Sequence, residues 1–214
     1  IYKARSDYYS VFSLWDTFRA WHPLMTIIDR KRTLDYIKTF LRQYEKGRML
    51  PVWELSSNET ECMIGYHSVS VIVDAYMKGI SDFNSDEALN AMRNSAEANE
   101  RYGLGAYMDH GYLDVLDESE SVSKTLEYAY DDWCISTFAR KIGRDDIAKQ
   151  YLTRSQHWQN LFDPQTKFIR PKRNGAWLNP FDPREVNNNY TEANAWQYTF
   201  FVPQDIPGLI CKMG

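Results

Sequence analysis

The chain has 214 residues, 43% of them hydrophobic and 25% charged, with a net charge of -4 and a pI near 5.6. That is enough apolar material for one domain, or two, with a real core, and the acidic balance argues against a nucleic-acid binder, which would carry a basic patch. No apolar run approaches the ~18 residues of a membrane span; the longest, Val69 to Met77, is interrupted by Ser70 and Asp74.

Apolar residues recur mostly at helical spacing and predict helices over about 9–28, 31–46, 64–79, 86–101, 121–142, 144–162, 191–202 and 205–213. The first carries Trp15-Asp16-Thr17-Phe18-Arg19, an indole beside a carboxylate. The same residues also read as a buried Trp with an Asp–Arg pair at i,i+3. In the second, Leu34, Ile37, Phe40, Leu41 and Tyr44 fall on one stripe, with Lys38, Arg42 and Glu45 opposite. Ahead of the third lies Asn58–His67, in which Glu59, Glu61 and His67 surround Gly65. No second His follows at i+4, so this is not a zinc metalloprotease motif. Asn58-Glu59-Thr60 has the glycosylation spacing, but its context reads as interior.

Within 121–142, Glu127, Tyr130, Asp131, Asp132 and Trp133 share two turns of one helix. Glu127 and Asp131 are four apart on one face and repel unless a cation, proton or ligand separates them. The cluster either lines a pocket or is structural. Asp145-Asp146 open the next helix, at the positive end of its dipole. Asn174-Gly175, inside Phe168–Asn179, signals a β-hairpin inserted in a helical chain. Gly47, Gly79 and Gly143 each follow an amphipathic run, as C-terminal caps do. Short connections predict antiparallel helical hairpins, arranged as part of a toroid with loop residues facing one mouth.

The segment Tyr190-Thr191-Glu192-Ala193-Asn194-Ala195-Trp196-Gln197-Tyr198 places a lone carboxylate among aromatics and neutral amides, with no Lys or Arg close by in sequence. Apolar, uncompensated surroundings favour a neutral carboxyl group, and a carboxyl kept protonated can serve as a general acid. Trp and Tyr rings suit the apolar faces of a sugar. A capping Glu at a helix start is the alternative. Cys62, Cys134 and Cys211 are odd in number and far apart, and are expected to be buried structural thiols. His22, His67, His110 and His157 are scattered, so no histidine metal site is evident. If a metal binds, oxygen ligands favour calcium.

Taken together, Tyr9–Arg19, Asn58–His67, Ser123–Trp133 and Tyr190–Tyr198 resemble the catalytic domain of family 92 of the glycoside hydrolases, the calcium-dependent exo-α-mannosidases. The resemblance covers nearly the whole chain, in the family's order. It implies an all-α fold, part of an (α/α)6 barrel, and hydrolysis of terminal mannose from glycans with anomeric inversion. It also implies a calcium ion contacting the mannose hydroxyls, and an extracytoplasmic setting. Glu192 corresponds to the general acid, and Trp15 and Asp16 to the mannose subsite. Glu59, His67, Asp132 and Trp196 are carried over as substrate-pocket residues. Family members acting on mannose-1-phosphodiesters carry Gln at the acid position, so Glu192 favours a true glycosidase.

Family members also have an N-terminal β-sandwich domain, and further helices bearing the general base. The 214 residues are therefore expected to be a partial barrel, catalytically silent alone. Two other readings fit the residues: a non-catalytic helical scaffold binding a glycan or protein, and another (α/α)6 enzyme, such as a lyase using Tyr and His.

Overall fold

The computed structural model describes residues 7–56, 58–60 and 62–214; Glu61, one of the acids noted above, lies outside them. Helices dominate, joined by short antiparallel strand pairs, as the sequence predicts for a helical chain with a small β insertion. The chain divides into two compact units.

The first unit takes the described residues through Ala96 together with Cys134–Lys149. It contains α1 (Leu14–Thr17), α2 (Trp21–Ile28), α3 (Arg30–Gly47), β1 (Glu54–Leu55), β2 (Asn58–Glu59), α4 (Ser68–Met77) and α5 (Ser85–Ala96). The single helix expected over 9–28 is broken because Pro23 cannot sit inside it. The proline ring would collide with the carbonyl of Arg19, so a helix containing Pro23 must start just before it. Residues 7–12 are irregular instead, with Val11 at φ 69°, and Ser13 forms an antiparallel bridge with Trp53. Four of the five α3 stripe residues, Ile37, Phe40, Leu41 and Tyr44, are buried as predicted, while Leu34 is half-buried. The Asp29 side chain caps its start by accepting from the Arg32 N–H. Gly47, however, is the last helical residue; Arg48, at φ 62°, takes the left-handed cap. Gly79 and Gly143 do adopt positive φ, 80° and 76°.

The second unit takes Glu97–Trp133 and Gln150–Gly214. Its elements include α6 (Leu104–His110), the first part of α7 (Ser121–Lys141), the end of α8 (Asp145–Arg154) and a 3₁₀ turn over His157–Leu161. The pairs β3 (Phe162–Asp163) with β4 (Phe168–Ile169) and β5 (Lys172–Arg173) with β6 (Ala176–Trp177) follow, then α9 (Ala195–Tyr198) and α10 (Ile206–Met213). The hairpin at Asn174-Gly175 forms as expected, with Lys172 opposite Trp177 and positive φ at both turn residues. The α6 helix, set between Gly103 and Gly111 in left-handed caps, was not predicted. It is too short for hydrophobic periodicity to reveal.

The helix expected over 191–202 shrinks to α9. Asn194 and Gln197 form a reciprocal capping box that fixes its start, and Pro203 disfavours helix in the residue before it. Two of the three cysteines also differ from expectation: Cys134 is buried, but Cys62 and Cys211 are exposed. Asn58 and Thr60 are likewise exposed rather than interior, since they flank a tight surface hairpin.

Candidate active site

In the first unit, the strand around Trp53 organises three of the expected residues. Its backbone bridges Ser13, and the Leu14 N–H donates to the Val52 carbonyl at 3.2 Å, which sets where α1 begins. Glu59 reaches back across the hairpin: the Val52 and Trp53 N–H groups donate to its carboxylate at 2.8 and 3.0 Å. Glu59 thus stitches together the loop that abuts α1. Asp16 is exposed and accepts from the Ser13 hydroxyl. Trp15 is half-buried, with the Arg19 guanidinium over its ring at 5.2 Å.

The same guanidinium lies 4.7 Å from the Phe18 ring, and Phe18 stacks on His67 with centroids 4.0 Å apart. Trp15, Arg19, Phe18 and His67 therefore form one continuous column from half-exposed indole to buried imidazole. Gly65 makes room for its inner end: a Cβ there would meet the His67 Nε2 at 2.4 Å.

The second unit holds Asp132, Glu192 and Trp196. Asp132 is fully buried, and its Oδ2 accepts from the Arg154 Nε and from the Tyr107 hydroxyl, both at 2.9 Å. Burial, then the Asp132 charge, push the Tyr107 hydroxyl well above its ordinary range, so it stays a donor. The neighbouring Glu127 and Asp131 are buried too, and Glu127 accepts from the Tyr198 hydroxyl at 3.2 Å. Of the same-face carboxylates, Glu127 lies where α7 is buried all round, over 121–129, and Asp131 is buried one turn on.

Glu192 differs from expectation in one respect: it is exposed, so apolar residues of its own unit do not enclose it. Of the aromatic residues around it, Tyr190 and Tyr198 are buried, while Trp196 is exposed like Glu192. Nor is it the helix cap, since Asn194 and Gln197 perform that role. Its backbone has φ 50°, a left-handed conformation rare for a residue with a Cβ. The residues on either side are buried: Tyr190 donates to the Ile169 carbonyl at 3.0 Å, and the Thr191 N–H donates to the Ser123 Oγ at 2.8 Å. Trp196, 51% exposed, meets the edge of Phe168 at 4.8 Å.

Below this segment, Arg170 is buried against Asp163 at 3.0 Å and lies over the Phe181 ring at 4.3 Å. Burial alone would raise the Asp163 pKa. Hydrogen bonds from the Gln165 N–H, Arg170 and Thr166 together outweigh it and hold the carboxyl below its usual range. The sequence reading included Ser123 and Tyr198 in its motif segments but not their contacts, which span 68 and 71 positions and leave no local signal, and it did not single out Asp163 or Arg170.

Among the described residues, no group of three or more His, Cys, Asp or Glu side chains is placed to hold a metal ion. No described helix is long and apolar enough to cross a membrane.

Residues 1–214 match the family model described as the glycosyl hydrolase family 92 catalytic domain. A family GH92 α-mannosidase from Bacteroides thetaiotaomicron is 41% identical, with a TM-score of 0.95 over 99% of this chain and 29% of its own. A structure of that mannosidase in complex with mannoimidazole aligns at 40% identity, with the same TM-score and coverage. A family GH92 inverting mannosidase from the same organism is 35% identical, with a TM-score of 0.92 over 98% of this chain and 29% of its own. A curated relative, an uncharacterized secreted glycosidase of Arthroderma benhamiae, is 29% identical over 84% of this chain and 28% of its own length. The chain thus spans less than a third of the length of the relatives it matches.

Proposed function

We propose, on the premise that this chain belongs to glycosyl hydrolase family 92, that it supplies the acid side of an inverting, exo-acting α-mannosidase that removes terminal mannose from glycans. The observation carrying this reading is the setting of Glu192. An exposed carboxylate projects from a left-handed position between buried residues, outside the helix cap that would otherwise account for it. Strained backbone held in place by its surroundings is characteristic of functional positions.

In the proposed reaction, the Glu192 carboxyl gives its proton to the glycosidic oxygen as the bond from that oxygen to C1 breaks. A water adds to C1 from the opposite face and loses its proton to a carboxylate base. Inverting enzymes hold the two carboxyl groups ~6.5–9.5 Å apart to admit that water. We place the base outside the 214 residues. Within the second unit, Trp196 would offer a ring face to the sugar; the roles of Trp15 and Asp16, in the first unit, are those that the resemblance implies for a mannose subsite. Glu59, His67 and Asp132 would hold the loops and helices that carry these groups.

Calcium dependence is implied by the resemblance, but the described side chains do not by themselves form a site. A calcium shell takes ~6–8 oxygen ligands, and no carboxylate cluster among the described residues begins one. No step is therefore routed through the ion. An extracytoplasmic setting is supported by the description of the Arthroderma relative as secreted.

The test is Glu192→Gln in the full-length polypeptide that carries this chain, assayed on mannobiose and on an activated aryl α-mannoside with and without EDTA. The amide preserves shape but cannot donate the proton, a loss of about 10²–10⁴-fold for a positioned general acid. That loss should appear in kcat/KM for mannobiose, whose alcohol leaves poorly unprotonated, and be far smaller for the aryl mannoside. Equal losses on both substrates would remove Glu192 from the acid role.

A further inference from the structure

The backbone leading into Glu192 is tied to the buried start of α7, while the Tyr190 side chain reaches β4. The Glu120 N–H donates to the Asn188 carbonyl at 2.8 Å, and the Val122 N–H to the Asn189 carbonyl at 3.2 Å. The Thr191 N–H donates to the Ser123 Oγ at 2.8 Å. Residues 188–191 thus run along the start of α7 and satisfy N–H groups that a helix start leaves without partners. Only the last of these contacts uses a side chain of α7, and it falls on the residue immediately before Glu192. Ser123 is fully buried and Thr191 is 4% exposed, so water cannot substitute for the bond.

We propose that Ser123 is a positioning residue for Glu192. Its hydroxyl oxygen fixes the peptide entering Glu192 and so aims the carboxyl group, without itself touching substrate. This rests on the reading of Glu192 as general acid. Two features separate the assignment from ordinary packing. First, the residue being aimed has φ 50°, so its peptide must be held from outside its own preferred geometry. Second, the far side of Glu192 is fixed independently by the Asn194–Gln197 capping box. With that side fixed, the Ser123 bond holds the peptide nearest Glu192 on the other side, one residue closer than the Tyr190 hydroxyl bond to Ile169.

A small displacement of a catalytic group is costly, up to about 10²-fold for ~1 Å. It costs most where the group matters most, so the substrate that needs protonation should suffer selectively. The experiment compares Ser123→Ala with wild type and Glu192→Gln in the full-length polypeptide, measuring kcat and KM on mannobiose and the activated aryl α-mannoside. Ser123→Cys, close in size but a poor acceptor, replaces Ser123→Ala if the latter does not fold.

The expected result is a fall of roughly 10-fold or more in kcat for mannobiose. The aryl mannoside should lose less than about 3-fold, and KM should be little changed on either. Equal losses on both substrates, or a lowered melting midpoint with no loss on mannobiose, would overturn the positioning role. If Glu192→Gln shows the leaving-group split and Ser123→Ala does not, this proposal fails and the acid assignment stands. If Glu192→Gln shows no split, the acid assignment itself fails, and the proposal with it.

Discussion

Glu192 holds a left-handed backbone conformation at φ 50°, which costs a residue with a Cβ about 1–2 kcal/mol. Its exposed side chain makes no hydrogen bond that offsets this within its own segment, where the ties belong to Tyr190, Thr191 and Asn194. Replacing it with glycine removes the steric cost but gives the unfolded chain more freedom to lose, about 0.5–1 kcal/mol. Glu192→Gly should therefore leave stability unchanged or raise it by up to about 1.5 kcal/mol, at ~2–4 °C in melting midpoint per kcal/mol for a chain of this size. Disaccharide turnover should be lost at the same time. Calorimetry on the variant checks it; a clear fall in midpoint would mean that the carboxylate supports the loop, rather than the loop the carboxylate.

At the scale of elements, the loop leading into α4 and the turn at α1 are coupled by the column from Trp15 through Arg19 and Phe18 to His67. Gly65 is its most sensitive point, for two separate reasons. Its φ is 78°, and an added Cβ would lie 2.4 Å from the buried His67 ring. Gly65→Ala should destabilise by about 2–4 kcal/mol, combining left-handed strain with overpacking. Denaturant unfolding measures the loss. The variant should also weaken substrate binding if Trp15 and Asp16 contact the sugar, because the imidazole would have to leave the stack that supports Phe18. A stability loss below about 1 kcal/mol would show that the His67 ring can move aside freely.

For the molecule as a whole, two histidines make stability depend on pH. His22 is 1% exposed, packed against the rings of Phe12, Tyr36 and Phe40, and neither ring nitrogen has a hydrogen-bond partner among the described residues. Burial lowers its pKa from 6.5 to about 4. Burial, and then the Arg154 charge, lower that of His157 to about 4 as well. In each case the unfolded chain binds a proton more readily than the folded one. Stability is therefore at its full value above about pH 6.5 and falls as pH drops toward 4. For His22 the loss is on the order of 3 kcal/mol across that window. Urea unfolding at pH 7 and pH 5 should show it, and His22→Phe should flatten the dependence if the variant folds. An equal slope in that variant would assign the acid sensitivity elsewhere.

Several features were legible from the sequence because they depend on neighbours within a few positions. The apolar stripe of α3 and the Asn174-Gly175 hairpin need only helical periodicity and a turn pair that accepts positive φ. The family motifs were equally legible, since each is a short local pattern. Other features depend on groups far apart in the chain. The segment that carries Glu192 is anchored where the Thr191 N–H meets Ser123, 68 positions away. The burial of Asp132 as a partner of Arg154 and Tyr107 depends on residues 22 and 25 positions away. Sequence determined which residue types were present and which short segments they would form. Tertiary structure alone decided which carboxylates face solvent and which are neutralised inside, because burial and charge pairing are properties of what packs against a side chain, not of the residues beside it in the chain.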